Sequence, residues 1–138
     1  MKEEKVLNYI FEAIYYLDKA KGELDIIADY FEDRIKKRNS VRAFYDESTD
    51  KYVQYMNKMY EFVERVKLYM ELSGDEEEFN KLLNMKKKVI DSIFVTYSED
   101  SSEDCLINYN DLCNNQIHSM DEFRVYLKSI YNKYIVRD

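Results

Sequence analysis

The chain has 138 residues, 46% of them hydrophobic and 36% charged, with a formal net charge of −7, two glycines and no proline. That apolar content excludes simple disorder and suits one domain with a genuine core. So few turn formers exclude sandwiches and barrels, which need them every ~8–12 positions, and the reading is all-α: a single domain, residues 1–138, built as a helical bundle of three long helices with a C-terminal helical hairpin.

Leu7, Ile10, Ile14, Leu17, Leu24, Ala28, Phe31 and Ile35 fall at alternating steps of three and four, with Lys21 as the interruption. Only an α-helix lines such side chains along one stripe. The spacing predicts an unbroken helix over about 3–37, roughly 50 Å long at ~1.5 Å per residue. One apolar edge of that length is unstable alone in water and needs partner helices. The same seam offers pairing with a copy of itself, so a homodimer or structural homo-oligomer is one alternative. Asn39-Ser40 reads as the stop, followed by a linker from Val41 to Thr49.

Ser48, Thr49 or Asp50 is suited to cap a second helix over about 50–72, with the stripe Tyr52, Met56, Met59, Val63, Val66 and Met70. Gly74 suits a left-handed cap after Ser73. Asp75-Glu76-Glu77-Glu78 opens a third helix, about 75–97, where unpaired backbone N–H groups favour acids. Its stripe is Phe79, Leu83, Ile90, Ile93 and Tyr97, with Leu82 and Val89 alongside. Residues 98–104 read as an acidic, solvated loop. In the hairpin, about 108–136, Asn108 caps a short helix and Ser119-Met120-Asp121-Glu122 has capping-box spacing for the last one. That last helix carries Phe123, Tyr126, Leu127, Ile130, Tyr134 and Ile135 on one side.

No catalytic, cofactor-binding or metal-ligating constellation emerges. A di-metal carboxylate bundle needs two Glu-x-x-His pairs, and His118 is the only histidine. Cys113 and His118, five residues apart, offer a nucleophile–base combination, but a linker histidine is a poor basis for catalysis. Gly22 and Gly74 are too few for a phosphate loop. Two cysteines make no disulfide framework, which points to a reducing cytoplasm. No signal peptide and no run near the ~20 apolar residues of a membrane span is visible.

Two charged regions and the tyrosines remain. Residues 75–104 carry 4 basic and 9 acidic side chains, and no segment of the chain is basic overall, which weighs against nucleic acid. The densest basic patch, Lys36, Lys37, Arg38 and Arg42 beside Phe44 and Tyr45, keeps accessory nucleic-acid binding as an alternative. Of the aromatics, 14 are Tyr, 7 are Phe and none is Trp. Tyrosine joins an apolar ring to a polar tip and serves core margins and interfaces alike. Tyr15, Tyr16, Tyr30 and Tyr55 lie off the main stripes and are the candidate partner-binding anchors, with Glu76, Glu77, Glu78, Glu99 and Asp100 as the acids that speed association.

The long first helix ending Asp29-Tyr30-Phe31-Glu32-Asp33-Arg34, then a polar linker and a tyrosine-rich second helix, resembles small helical proteins of Gram-positive prophages and pathogenicity islands over the first 70 residues or so. The resemblance implies a compact inhibitor of host or defence machinery, anti-CRISPR-like or similar. The expectation is therefore a non-enzymatic interaction protein whose partner is another protein, such as one that handles nucleic acid, with no cofactor, metal or membrane involved.

Overall fold

A computed structural model of the chain describes residues 2–37, 42–91 and 103–137. Among the described residues there are four helices and no strand: α1 (Lys2–Ile35), α2 (Arg42–Ser73), α3 (Glu76–Asp91) and α4 (Glu103–Arg137). The chain is all-α. α1 packs along both α2 and α4, and α3 packs against the same two helices. Tyr30 meets Tyr45 while Tyr9 meets Phe62, so α2 runs antiparallel to α1. Phe31 meets Tyr109 while Asp18 meets Arg124, so α4 is antiparallel to α1 as well. Lys86 bonds Glu64 and Lys133 bonds Glu78, which returns α3 to the direction of α1. The result is an up-down-up-down bundle in which the shorter α3 covers one end.

A seven-residue repeat runs through the interior. In α1 the fully buried positions are Val6, Ile10, Ala13, Leu17, Ala20, Leu24, Ile27 and Phe31, at steps of four and three without a lapse. α2 buries Tyr52, Met56, Met59, Val63, Val66 and Met70, and α4 buries Cys113, Gln116, Met120, Phe123, Leu127, Ile130 and Tyr134 in the same rhythm. A period of 3.5 keeps each seam facing its neighbours along its whole length, as in a coiled coil.

The α2 stripe agrees with expectation residue for residue. The α1 stripe does not. Leu7, Ile14, Ala28 and Ile35 are only partly buried beside the seam, and Val6, Ala13, Ala20 and Ile27 hold it instead. Ala20 fills the seam position next to Lys21, the expected interruption, and Lys21 reaches Asp121 on α4 at 2.9 Å. Because α2 and α4 cover that seam within one chain, it is not open to pair with a copy.

Three boundaries also differ. Residues 42–49, expected as linker, are the first turns of α2: Tyr45 and Ser48 extend the seam inward, and Thr49 Oγ1 donates to the Tyr45 carbonyl at 2.8 Å. In α3, Leu82 and Val89 are buried while Phe79 and Leu83 only flank them. Ile93, Tyr97 and the expected loop over 98–102 lie outside the described residues, and the loop's last two positions, Glu103 and Asp104, begin α4. The expected C-terminal hairpin is a single 35-residue helix. Neither Asn108 nor Ser119 caps anything, because the seam passes from Cys113 and Gln116 to Met120 and Phe123 without losing register.

The turn between α2 and α3 is as tight as the sequence suggests. Gly74 takes φ 76°, its N–H donates to the Glu71 carbonyl at 3.3 Å, and the Asp75 N–H donates to the Met70 carbonyl at 3.1 Å. Those two bonds close α2 with a Schellman motif. Asp75 then caps α3, its Oδ1 accepting from the Glu78 N–H at 3.3 Å.

Candidate functional site

With the seam closed, the positions flanking it and the outward faces remain available. Flanking positions of a coiled coil usually carry Glu and Lys. On the α1–α2 side they carry rings. Tyr9 and Tyr16 recur at a step of seven on α1, as do Tyr55, Phe62 and Tyr69 on α2, and antiparallel packing interleaves them. Tyr9 and Phe62 lie 6.3 Å apart, Tyr16 stacks on Phe62 at 5.9 Å, and Tyr16 and Tyr55 lie 6.4 Å apart. Arg65 sits over the end of the row, its guanidinium 4.9 Å from the Phe62 ring and 5.6 Å from Tyr9. Stacked in this way, the cation gains from the negative ring faces while its edge meets Glu61 at 3.9 Å.

Grooves open at both ends of this aromatic row. One, of about 340 Å³, has Lys5, Tyr9, Arg65, Leu68, Tyr69 and Leu72 among its walls. The other is bounded by Tyr16, Gln54, Tyr55, Asn57, Lys58 and Glu61. Both are apolar floors with a charged margin, a combination suited to side chains of a protein partner.

The expected anchors separate. Tyr16 and Tyr55 belong to the row. Tyr15 points away from it on the outer face of α1, 47% exposed, touching Tyr16 edge-on at 5.2 Å with Lys19 5.5 Å above its ring. Tyr30 is no surface residue: it is buried, 4.7 Å from the Tyr45 ring and 5.7 Å from Phe31, because the inner face of α2 begins earlier than the linker reading allowed. Glu76 and Glu77 are exposed in the first turn of α3. Glu78 is buried and structural. It accepts from Lys133 Nζ at 2.9 Å and from the Tyr126 hydroxyl at 3.1 Å, and it stands in register with Leu82 and Val89. Burial first, and then the Glu78 charge, raise the Tyr126 hydroxyl well above the ordinary phenol range, so it remains a donor. Glu99 and Asp100 lie outside the described residues.

At the basic patch, Lys36 Nζ is held by Glu32 at 2.6 Å, Lys37 occupies the left-handed region at φ 57° as the cap of α1, and Arg42 is the first residue of α2. Arg38 lies outside the described residues, and Tyr45 faces the core. Cys113 and His118 do not converge: the thiol is buried in the seam, pushed up to about 12 by that burial, while His118 is 77% exposed and meets Glu122 at 3.1 Å. Cys105 and Cys113 are both free thiols. Among the described residues there is no cluster of three or more His, Cys, Asp or Glu able to hold a metal ion, and no helix is long and apolar enough to cross a membrane.

Sequence reasoning missed Tyr9, Phe62 and Arg65, although the seven-residue recurrence of the rings was a usable signal. No family model, curated protein or solved structure matches the chain.

Proposed function

We propose that this chain is a non-enzymatic protein-binding module that works through the aromatic row of α1 and α2. The observation that carries the reading is the substitution of Tyr9, Tyr16, Tyr55 and Phe62 for the usual charges beside the seam, with Arg65 laid across them. Tyrosine and arginine supply most of the energy at protein interfaces, because each buries a large flat surface and keeps a polar edge for a directional bond. Glu76 and Glu77, exposed in the first turn of α3, contribute attraction at long range and thus rate rather than affinity. On this reading the partner is a host or defence protein and the outcome is inhibition, as the resemblance of the first 70 residues or so to prophage and pathogenicity-island proteins implies.

The test is affinity for the partner recovered from the native host. Tyr55→Ala with Arg65→Ala is expected to weaken binding about 30-fold, near 2 kcal/mol, with the melting curve preserved. Glu76→Lys with Glu77→Lys is expected to slow association and flatten its salt dependence with little change in dissociation. Unchanged affinity in the first variant removes the aromatic row from the function. A gel shift with DNA or RNA at ~50 mM salt, lost on reversing Lys36 and Lys37, would assign the function to nucleic acid instead.

A further inference from the structure

One of the two grooves beside the aromatic row carries charge of a single sign. Tyr9 of α1 and Tyr69 of α2, both half-buried, line it, and Leu68 and Leu72 stand along its α2 edge at 53% and 78% exposure. The charged residues that line it are Lys5 and Arg65, and among the described residues no carboxylate does. Neither cation is used up within the chain. Lys5 is exposed and pairs with no carboxylate of the described residues. Arg65 meets Glu61 at 3.9 Å, too long for a hydrogen bond, so its N–H groups keep their capacity to donate. Glu61 is drawn at the same time to Lys58, at 3.5 Å. The other nearby acids stand outside the groove. Glu64 is held by Lys86 and Lys67, and Glu71 lines a separate groove with Lys67. On α1, neither Glu4 nor Glu12 reaches its walls.

We propose that this groove takes an acidic, apolar segment of the protein partner: a large apolar side chain laid against Tyr9 and Tyr69, with a carboxylate beside it bound by Lys5 and Arg65. Such an occupant is the partner's contact at one end of the row, and so rests on the protein-binding reading of that row. Charge sign selects it. A carboxylate gains from both cations and offers the guanidinium a directional acceptor, a cationic segment is repelled, and a neutral one gains from neither. A second copy of the chain is disfavoured, because its matching face brings the same two cations. The volume of about 340 Å³ is near the lower end of the range for ligand pockets, which suits one or two side chains and not a whole domain surface.

Three probes that share one apolar body read the preference: 4-phenylbutyrate, 4-phenylbutanamide and 4-phenylbutylamine, each titrated while backbone amide shifts are followed by NMR. The acid is expected to bind about fivefold tighter than the amide, the scale of two partly exposed ion pairs, with the amine weakest. The shifts are expected in the first turns of α1 and the last turns of α2. Lys5→Gln, at an exposed position, is expected to bring acid and amide within about twofold of each other while leaving the amide's affinity and the melting curve unchanged. Raising salt from ~50 to ~500 mM is expected to narrow the gap in the same way. Equal binding of acid and amide overturns the proposal, as do a preference for the amine, a gap that survives Lys5→Gln, and no binding of any probe at ~10 mM. A fatty acid that co-purifies with wild type and is lost from Lys5→Gln, seen by native mass spectrometry, would give the groove to a lipid and overturn it too. The row is judged separately by Tyr55→Ala, which leaves this groove intact, against the partner recovered from the host. Weakened partner binding there, with no acid preference here, removes only the groove's occupant. An acid preference with partner binding unchanged by Tyr55→Ala removes the row from the function and overturns the partner segment with it.

Discussion

The two ends of the bundle are closed by different physics. At the end where α3 packs, the chain uses directional polar contacts: Glu78 is buried between Lys133 and Tyr126, and Lys86 reaches Glu64. At the opposite end, in the described residues, α1, α2 and α4 meet through rings. Phe31 touches Tyr30, Tyr45 and Tyr109 with centroids 5.5–5.7 Å away, and Gln116 Nε2 donates to the Tyr52 hydroxyl at 2.9 Å. Ring burial is strong and non-directional, so it holds long helices that the seam has already aligned. α3 is 16 residues long and has few seam positions of its own. A buried charge that must find its partners is what fixes such a short helix in place, at a cost in stability that a purely apolar contact would avoid.

The largest effect expected from this contrast is Phe31→Ala. It empties the centre of the ring cluster and should lower the unfolding free energy by about 4 kcal/mol in a denaturant titration, without loosening α3 in particular. A loss below about 1 kcal/mol would mean the cluster collapses around the gap and is not tightly packed. Next comes Lys133→Met, which keeps the aliphatic stem but strands the buried Glu78 carboxylate. About 2 kcal/mol should be lost, discounted for the partial exposure of Lys133. Hydrogen exchange should show the opening concentrated in α3 rather than spread through the bundle. Uniform opening would show that α3 is held by the common core, and the contrast between the ends would fail.

How much of this was legible in the sequence depended on what occupied the seam. α2 reads directly, because Tyr52 through Met70 places a large apolar residue at every seam position. α1 misleads in register, since the seam holds the small Ala13 and Ala20 while bulkier Leu7 and Ile14 stand beside it. Both patterns share the same period, so helix type was readable and rotation about the axis was not. α4 misleads in continuity. Gln116 and Cys113 occupy buried positions that apolar counting passes over, and Ser119 to Glu122 imitates a helix start. A capping box competes with an unbroken seam, and here tertiary packing outweighs the local signal. At the candidate site, Tyr16 and Tyr55 could be picked from sequence, but Tyr30 and Glu78 could not be distinguished from surface residues, because only the fold shows which side of each helix is enclosed.

The continuity of α4 is the claim on which the rest turns, since its unbroken seam from Cys113 to Tyr134 is what covers α1 on that side. Pulsed electron spin resonance between labels placed on the exposed Asn108 and Asn132 measures it directly. A single helix puts their backbones about 36 Å apart at ~1.5 Å per residue. A distance distribution centred near that value supports the bundle described above, and one centred below about 25 Å would contradict it.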